Sequence, residues 1–154
     1  MKRHEALIPL THDHHHALAA ARRLEGSATA DPTERASQAG AFLEFFEADT
    51  VAHFREEEEV IFPLVIDYPE AQPALTRVLL EHVQLHALVS RLRAEVAAGV
   101  VDPETPKLIA SLLQNHIRHE EKVLFPLIES TAAAPLASVA LSPRNREAPA
   151  RAEA

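Results

Sequence analysis

Residues 53–64 read HFREEEEVIFPL, and residues 116–127 read HIRHEEKVLFPL. Eight of the twelve positions are identical: His, Arg, Glu, Glu, Val, Phe, Pro and Leu. Each copy continues an apolar stripe of helical period. The first runs Phe42, Phe45/Phe46, Asp49, His53, Glu56/Glu57, Val60 and Leu64. The second runs Ile109, Leu112, Leu113, His116, His119/Glu120, Val123 and Leu127. In both, His interrupts the apolar face and Glu follows four residues later. Phe-Pro then bends or ends the helix and sets an aromatic ring at the end of the pocket.

Two more stripes flank the repeat. One holds Leu7, Leu10, His14, Ala17/Leu18, Ala21 and Leu24. The other holds Leu75, Val78, Leu79, His82, Leu85, His86, Val89, Leu92 and Val96. Punctuation separates four segments. The first spans about Leu10 to Glu25 and stops at Gly26. The second starts at Asp31-Pro32-Thr33-Glu34, with Asp as N-cap and Pro in the first turn, and runs to about Ile66. The third spans about Glu70 to Ala98 before Gly99, and the fourth runs from Asp102-Pro103 to about Ser130. No segment alternates with period two. Four amphipathic helices with short connections predict an all-α, up-down antiparallel four-helix bundle over residues 1–130. Residues 131–154 lose the period, turn rich in Ala and Pro, and read as a flexible C-terminal tail.

Composition narrows the function. The chain has 154 residues, about one domain, and no cysteine, which excludes disulfides, thiolate metal sites and a cysteine nucleophile. A net charge of −8 argues against a nucleic-acid surface. No apolar run is long enough to span a bilayer. The start, MKRHEALIPL, has no long apolar stretch and no small-residue cleavage site, so a cytoplasmic protein is expected. Neither nucleic acid nor membrane is an expected partner, and the sequence names no protein partner. His-Glu-x-x-His, the Walker loop and Gly-x-Ser-x-Gly are all absent.

Ten histidines remain to be explained. Positions i and i+4 on a helix lie about 40° apart and one turn along, so both side chains point inward together. That applies to His53/Glu57, His82/His86 and His116/Glu120, with His14 supplied by the first helix. The centre is then expected to hold about five imidazoles and two carboxylates. Burying carboxylates there without a cation costs several kcal/mol each. A metal ion, or a pair of them, resolves this. Imidazole with carboxylate and no sulfur favours iron, with zinc or manganese as substitutes. Seven ligands suit two ions better than one.

The recurrent His-x-x-x-Glu-Glu-x-x-x-Phe-Pro around the Glu81-His82 helix resembles the hemerythrin-like, HHE cation-binding family, over about residues 7–130. The resemblance implies a four-helix bundle around a non-haem di-iron centre. It implies His14, His53, Glu57, His82, His86, His116 and Glu120 as metal ligands, with Glu57 and Glu120 bridging. The fourth-helix pair departs from the oxygen carriers proper, which use a longer His-to-Asp spacing. A cysteine-containing segment carried by relatives devoted to iron–sulfur repair is missing.

Other polar residues near the stripes have lesser expected roles. His15 lies at the edge of the inner face, as a further ligand or a partner of one. Asp49, one turn before His53, is expected to orient that imidazole through its other nitrogen. Glu56 and His119 occupy equivalent repeat positions on the inner side, to pack there, gate the pocket or hydrogen-bond an outside ligand. His12 and His16 face solvent, and His4 and Tyr68 have no role beyond loop or surface. The expected function is binding or sensing of dioxygen or another small diatomic ligand, rather than catalysis. The alternatives are a di-iron oxidoreductase acting on peroxide or nitric oxide, and a module for iron storage or trafficking. Ferritin-like enzymes are disfavoured, since no histidine follows a Glu by three residues. Metal affinity is expected to fall below about pH 6, near the ordinary imidazole pKa.

Overall fold

The Asp31 carboxylate accepts the Glu34 N–H at 2.9 Å, and Pro32 sits in the first turn, so this helix begins where its residues dictate. The third segment ends as cleanly. Gly99 takes φ 76°, its N–H reaches the Val96 carbonyl, and the Val100 N–H reaches Glu95. These paired bonds satisfy carbonyls left over at a helix end, in a backbone conformation that glycine tolerates best. Gly26 does not act as a stop. The helix runs on to Ser27, and Gly99 is the one described residue with positive φ.

The computed structural model describes residues 2–141, and no strand occurs among them. Its helices are α1 (Ile8–Ser27), α2 (Pro32–Phe45), α3 (Val51–Glu56), α4 (Gln72–Ala98), α5 (Glu104–His119), α6 (Phe125–Thr131) and α7 (Ala133–Leu136). Wider π turns join some of these into longer rods. Phe46–Thr50 links α2 to α3, Glu57–Ile61 follows α3, and Glu120–Leu124 links α5 to α6. Four rods result: α1, residues 32–65, α4, and residues 104–131. No helix among the described residues is long and apolar enough to cross a membrane.

The π turns have a cause in the repeat. Pro63 and Pro126 have no N–H and crowd the carbonyl four residues back. Just before each proline, the Phe62 N–H reaches back five residues to Glu57, and the Phe125 N–H does the same to Glu120. The helix widens by one residue there instead of breaking. Such insertions cluster at functional sites.

α1 packs on α2 and α5, and α4 packs on the same two. The core divides into two apolar clusters. One holds Leu24, Phe42, Phe46, Phe54, Leu85, Leu92 and Leu113; the other holds Leu10, Ile61, Phe62, Val78, Leu124 and Phe125. Successive rods cross from cluster to cluster in opposite orders: α1 runs Leu10, His14, Ala17, whereas the second rod runs Phe54, Glu57, Ile61. A polar layer separates the two clusters. The site lies in it.

Residues 131–141 depart from the expected loose tail. Ala132 and Leu136 are buried in the second cluster, and the α7 turn is held by the Leu136 N–H on Ala132. Period counting missed this because one turn is too short to display a period. The rest of the expected tail, 142–154, lies outside the described residues. Leu136 is fully buried, so Leu136→Ala is expected to cost about 2–3 kcal/mol in urea unfolding. A solvated tail would give no change.

Candidate metal centre

Six polar side chains meet in the layer between the clusters: His14 from α1, His53 from α3, Glu57, His82 from α4, His116 from α5, and Glu120. All six are at most 5% exposed. They form two groups that share both carboxylates: His14, His53, Glu57 and Glu120, and then Glu57, His82, His116 and Glu120. Glu57 turns Oε1 to His53 Nε2 (3.0 Å) and Oε2 to His82 Nε2 (3.4 Å). Glu120 turns Oε2 to His14 Nε2 (3.0 Å) and Oε1 to His116 Nε2 (3.2 Å). Each carboxylate thus offers one oxygen to each histidine pair.

These contacts are close without being hydrogen bonds. All four oxygens of Glu57 and Glu120, with Nε2 of His82 and His116, are buried and lack a hydrogen-bond partner. Their directions miss one another. His14 and His53 bring their Nε2 atoms to 3.1 Å. Donors about 2.0–2.1 Å from one metal ion sit about 3 Å apart along a coordination edge, so the spacing suits a cation between them. Orphaned atoms of ligand type at this spacing fit a pair of metal ions.

The outward nitrogens are all engaged. His53 Nδ1 lies 3.0 Å from Asp13, His82 Nδ1 2.7 Å from Glu58, His116 Nδ1 2.9 Å from Glu81, and His14 Nδ1 2.7 Å from Glu121. Each rod therefore clamps the imidazole of the next, and the last clamps the first. An Nδ1–H donated outward leaves the Nε2 lone pair of a neutral ring facing the centre. The clamps follow a pattern: the acid precedes the cluster histidine in Asp13-His14 and Glu81-His82, and follows the shared glutamate in Glu57-Glu58 and Glu120-Glu121. Sequence reasoning missed these four, although adjacency to a ligand was the available signal. Arg3 extends one clamp, reaching Glu121 and Glu129 at 2.8 Å each and lying over the Phe125 ring.

Aromatic rings close the layer. Phe54 stacks on His82 with centroids 3.8 Å apart, and Phe125 on His14 at 5.5 Å. Phe62, the repeat counterpart of Phe125, stacks on His82 at 6.1 Å.

His86 does not join the cluster. It is exposed, and its ring meets Phe46 and Phe54 edge-on. Phe54 occupies the space between it and the centre, so the centre holds four imidazoles, not five. His15 is exposed, as are His12 and His16. Asp49 is exposed as well, and the carboxylate on His53 Nδ1 is Asp13. Glu56 and His119 are half-buried outside both ligand groups.

Electrostatics favours a charged cluster when no metal is bound. Burial opposes imidazolium, but Glu120 and Glu57 outweigh it and push His82 up to about 10. The same contest, with Glu120 and Glu81, brings His116 to about 9. His14 and His53 are raised too, against burial, by their neighbouring carboxylates. Burial and mutual repulsion raise Glu57, yet His53 and His14 hold it below its ordinary value. Glu120 is lowered likewise by His116, His14 and His82. Protons on imidazole are therefore the cations that balance the buried carboxylates until metal displaces them.

A ring of clamped imidazoles around two shared carboxylates, inside an all-helical core, defines a cation-binding protein of the histidine–glutamate class. Residues 7–128 match the family model described as hemerythrin HHE cation binding domain, and the chain belongs to that family. Comparison with curated proteins and with solved structures gave no match.

Orienting carboxylates typically contribute 10- to 100-fold to metal affinity. Glu81→Ala and Glu58→Ala are each expected to weaken metal binding by that factor in competition titrations. Glu59→Ala, on an exposed neighbour paired with Arg55, should leave it unchanged.

Proposed function

We propose that the chain is an up-down four-helix bundle whose centre binds two iron ions and, beside them, dioxygen or another small diatomic ligand. It acts in this reading as a binding or sensing module. The observation that carries it is the pair of two-histidine groups sharing Glu57 and Glu120 in a buried layer. Two imidazoles and two carboxylate oxygens per ion leave room for an outside ligand on an ion that prefers six donors. A reduced iron pair supplies electrons and an open position for such a ligand.

The chain's own residues do the remainder. Glu57 and Glu120 hold both ions and offset their charge. Asp13, Glu58, Glu81 and Glu121 keep the imidazole rings aimed. Phe54, Leu113 and Ile117 help line a cavity beside His14, His53 and His116. Its volume, about 20 Å³, is on the scale of a ligand of two or three atoms.

Loading metal-free protein with iron(II) under nitrogen, then admitting and removing air, tests this. Two ions per chain and a visible absorption change that reverses are expected. A chain that takes up no iron, or absorbs irreversibly, overturns it. Four donors per group also suit tetrahedral zinc, which favours a second reading as a metal storage or trafficking module. Elemental analysis of protein purified without added metal separates the two. Steady-state consumption of peroxide or nitric oxide well above that of free iron would instead support an oxidoreductase.

A further inference from the structure

The cavity beside His14 and His53 carries a buried polar group that nothing above uses. Thr50 lines it, is 4% exposed, and its Oγ1 is buried without a hydrogen-bond partner. A buried hydroxyl in that state costs free energy and calls for an explanation. Helical threonines commonly satisfy the hydroxyl on the carbonyl four residues back, here that of Phe46. In this chain residues 46–50 form a π turn, in which the Phe46 carbonyl accepts the Val51 N–H and the Thr50 hydroxyl makes no such bond.

That π turn also breaks the internal symmetry. The repeat pairs His53 with His116, so Thr50 corresponds to Leu113, and the counterpart of residues 46–50 lies in regular α5. Leu113 lines the same cavity from the opposite rod. The Glu57 and Glu120 turns, by contrast, match each other. One half of an otherwise paired centre has thus gained a hydroxyl and a distorted turn, both at the cavity.

We propose that Thr50 is a ligand-binding residue: its hydroxyl donates a hydrogen bond to the outer atom of a small, acceptor-bearing ligand seated in the cavity. The favoured ligand class is a diatomic or linear triatomic with a polar outer end, and a purely apolar occupant gains nothing from Thr50. The inference rests on the functional reading above. His16 and Asp49, both exposed, line the same cavity and mark the side on which it meets solvent.

The test uses the full chain loaded with cobalt(II), whose visible spectrum reports ligand changes, titrated with sodium azide. Thr50→Val keeps the shape and removes the hydroxyl; Thr50→Ser keeps the hydroxyl. Azide binding is expected to weaken about five- to tenfold in Thr50→Val and to stay within twofold in Thr50→Ser, with cobalt content unchanged. In metal-free protein, Thr50→Val should melt at the same temperature or higher, because it removes an unpartnered hydroxyl. Azide affinity unaltered in Thr50→Val, or a melting temperature lowered by several degrees, overturns the proposal alone. A parent chain that binds no cobalt, or binds cobalt but no azide, overturns the functional reading and this proposal with it.

Discussion

Glu120→Gln is expected to bind at most one metal ion per chain, against the two proposed for the parent. Glu120 presents one oxygen to each histidine pair, at 3.0 Å from His14 and 3.2 Å from His116. The amide keeps the volume but removes the negative charge that two ions would share. Two dications held side by side repel strongly in a buried site, and bridging anions make their proximity tolerable. Removing one therefore removes more than a single bond. Glu57→Gln should behave alike, because its two oxygens are divided in the same manner. Elemental analysis after dialysis gives the stoichiometry. Two ions retained in either variant would mean that the carboxylates do not bridge. In the metal-free state, both variants leave charged imidazoles without their partner. Breaking a buried pair in this way costs about 3–5 kcal/mol, so their unfolding midpoints should fall too.

The second large effect is on pH. In metal-free protein the imidazoles of His14, His53, His82 and His116 have folded pKa values above the ordinary 6.5. The stability they contribute is complete below pH 6.5 and is lost as pH rises through about 9 to 10. Glu57, Glu81, Glu120 and Glu121 are displaced downward, Glu121 to about 2, against burial and through His14, Thr11 and Arg3. Their contribution is complete above the ordinary 4.5 and fades as pH falls toward the folded values. Metal-free protein should therefore melt highest between about pH 4.5 and 6.5 and less stably on either side.

Metal reverses the alkaline limb. Binding needs the neutral Nε2 lone pair, so protons compete for the site up to the raised pKa values. Affinity should keep climbing between pH 7 and about 9 to 10, and uptake near neutrality should release protons into a weakly buffered dye solution. Unshifted imidazoles would give an affinity that levels off by about pH 7.5. The neighbouring carboxylates move the threshold upward from the pH 6 expected of isolated histidines. Affinity that is flat above pH 7.5 would show that the cluster is not charged in the metal-free chain.

Much of this was legible in linear order because helices convert spacing into facing. The apolar period identified the four rods, and Asp31-Pro32 and Gly99 marked two of their ends. His-x-x-x-Glu, twice repeated, placed one imidazole and one carboxylate on a common face in each copy. His14 was separable from His12 and His16 because its neighbours Leu10, Ala17 and Ala21 lie on the buried side, whereas His15, at the edge of that face, was not. All of these are local relations along one helix.

What a single helix cannot express had to come from packing. His82 and His86 are equally well spaced in sequence, but the Phe54 ring from another rod stacks on His82 and stands between His86 and the centre. Asp49 and Asp13 are both within reach of the histidine face on paper, and the approach of α1 to α3 selects Asp13. The clamps, the shared oxygens of Glu57 and Glu120, and the idle hydroxyl of Thr50 all depend on how rods meet. Periodicity says which way a side chain points; only the neighbouring rod says what it meets there.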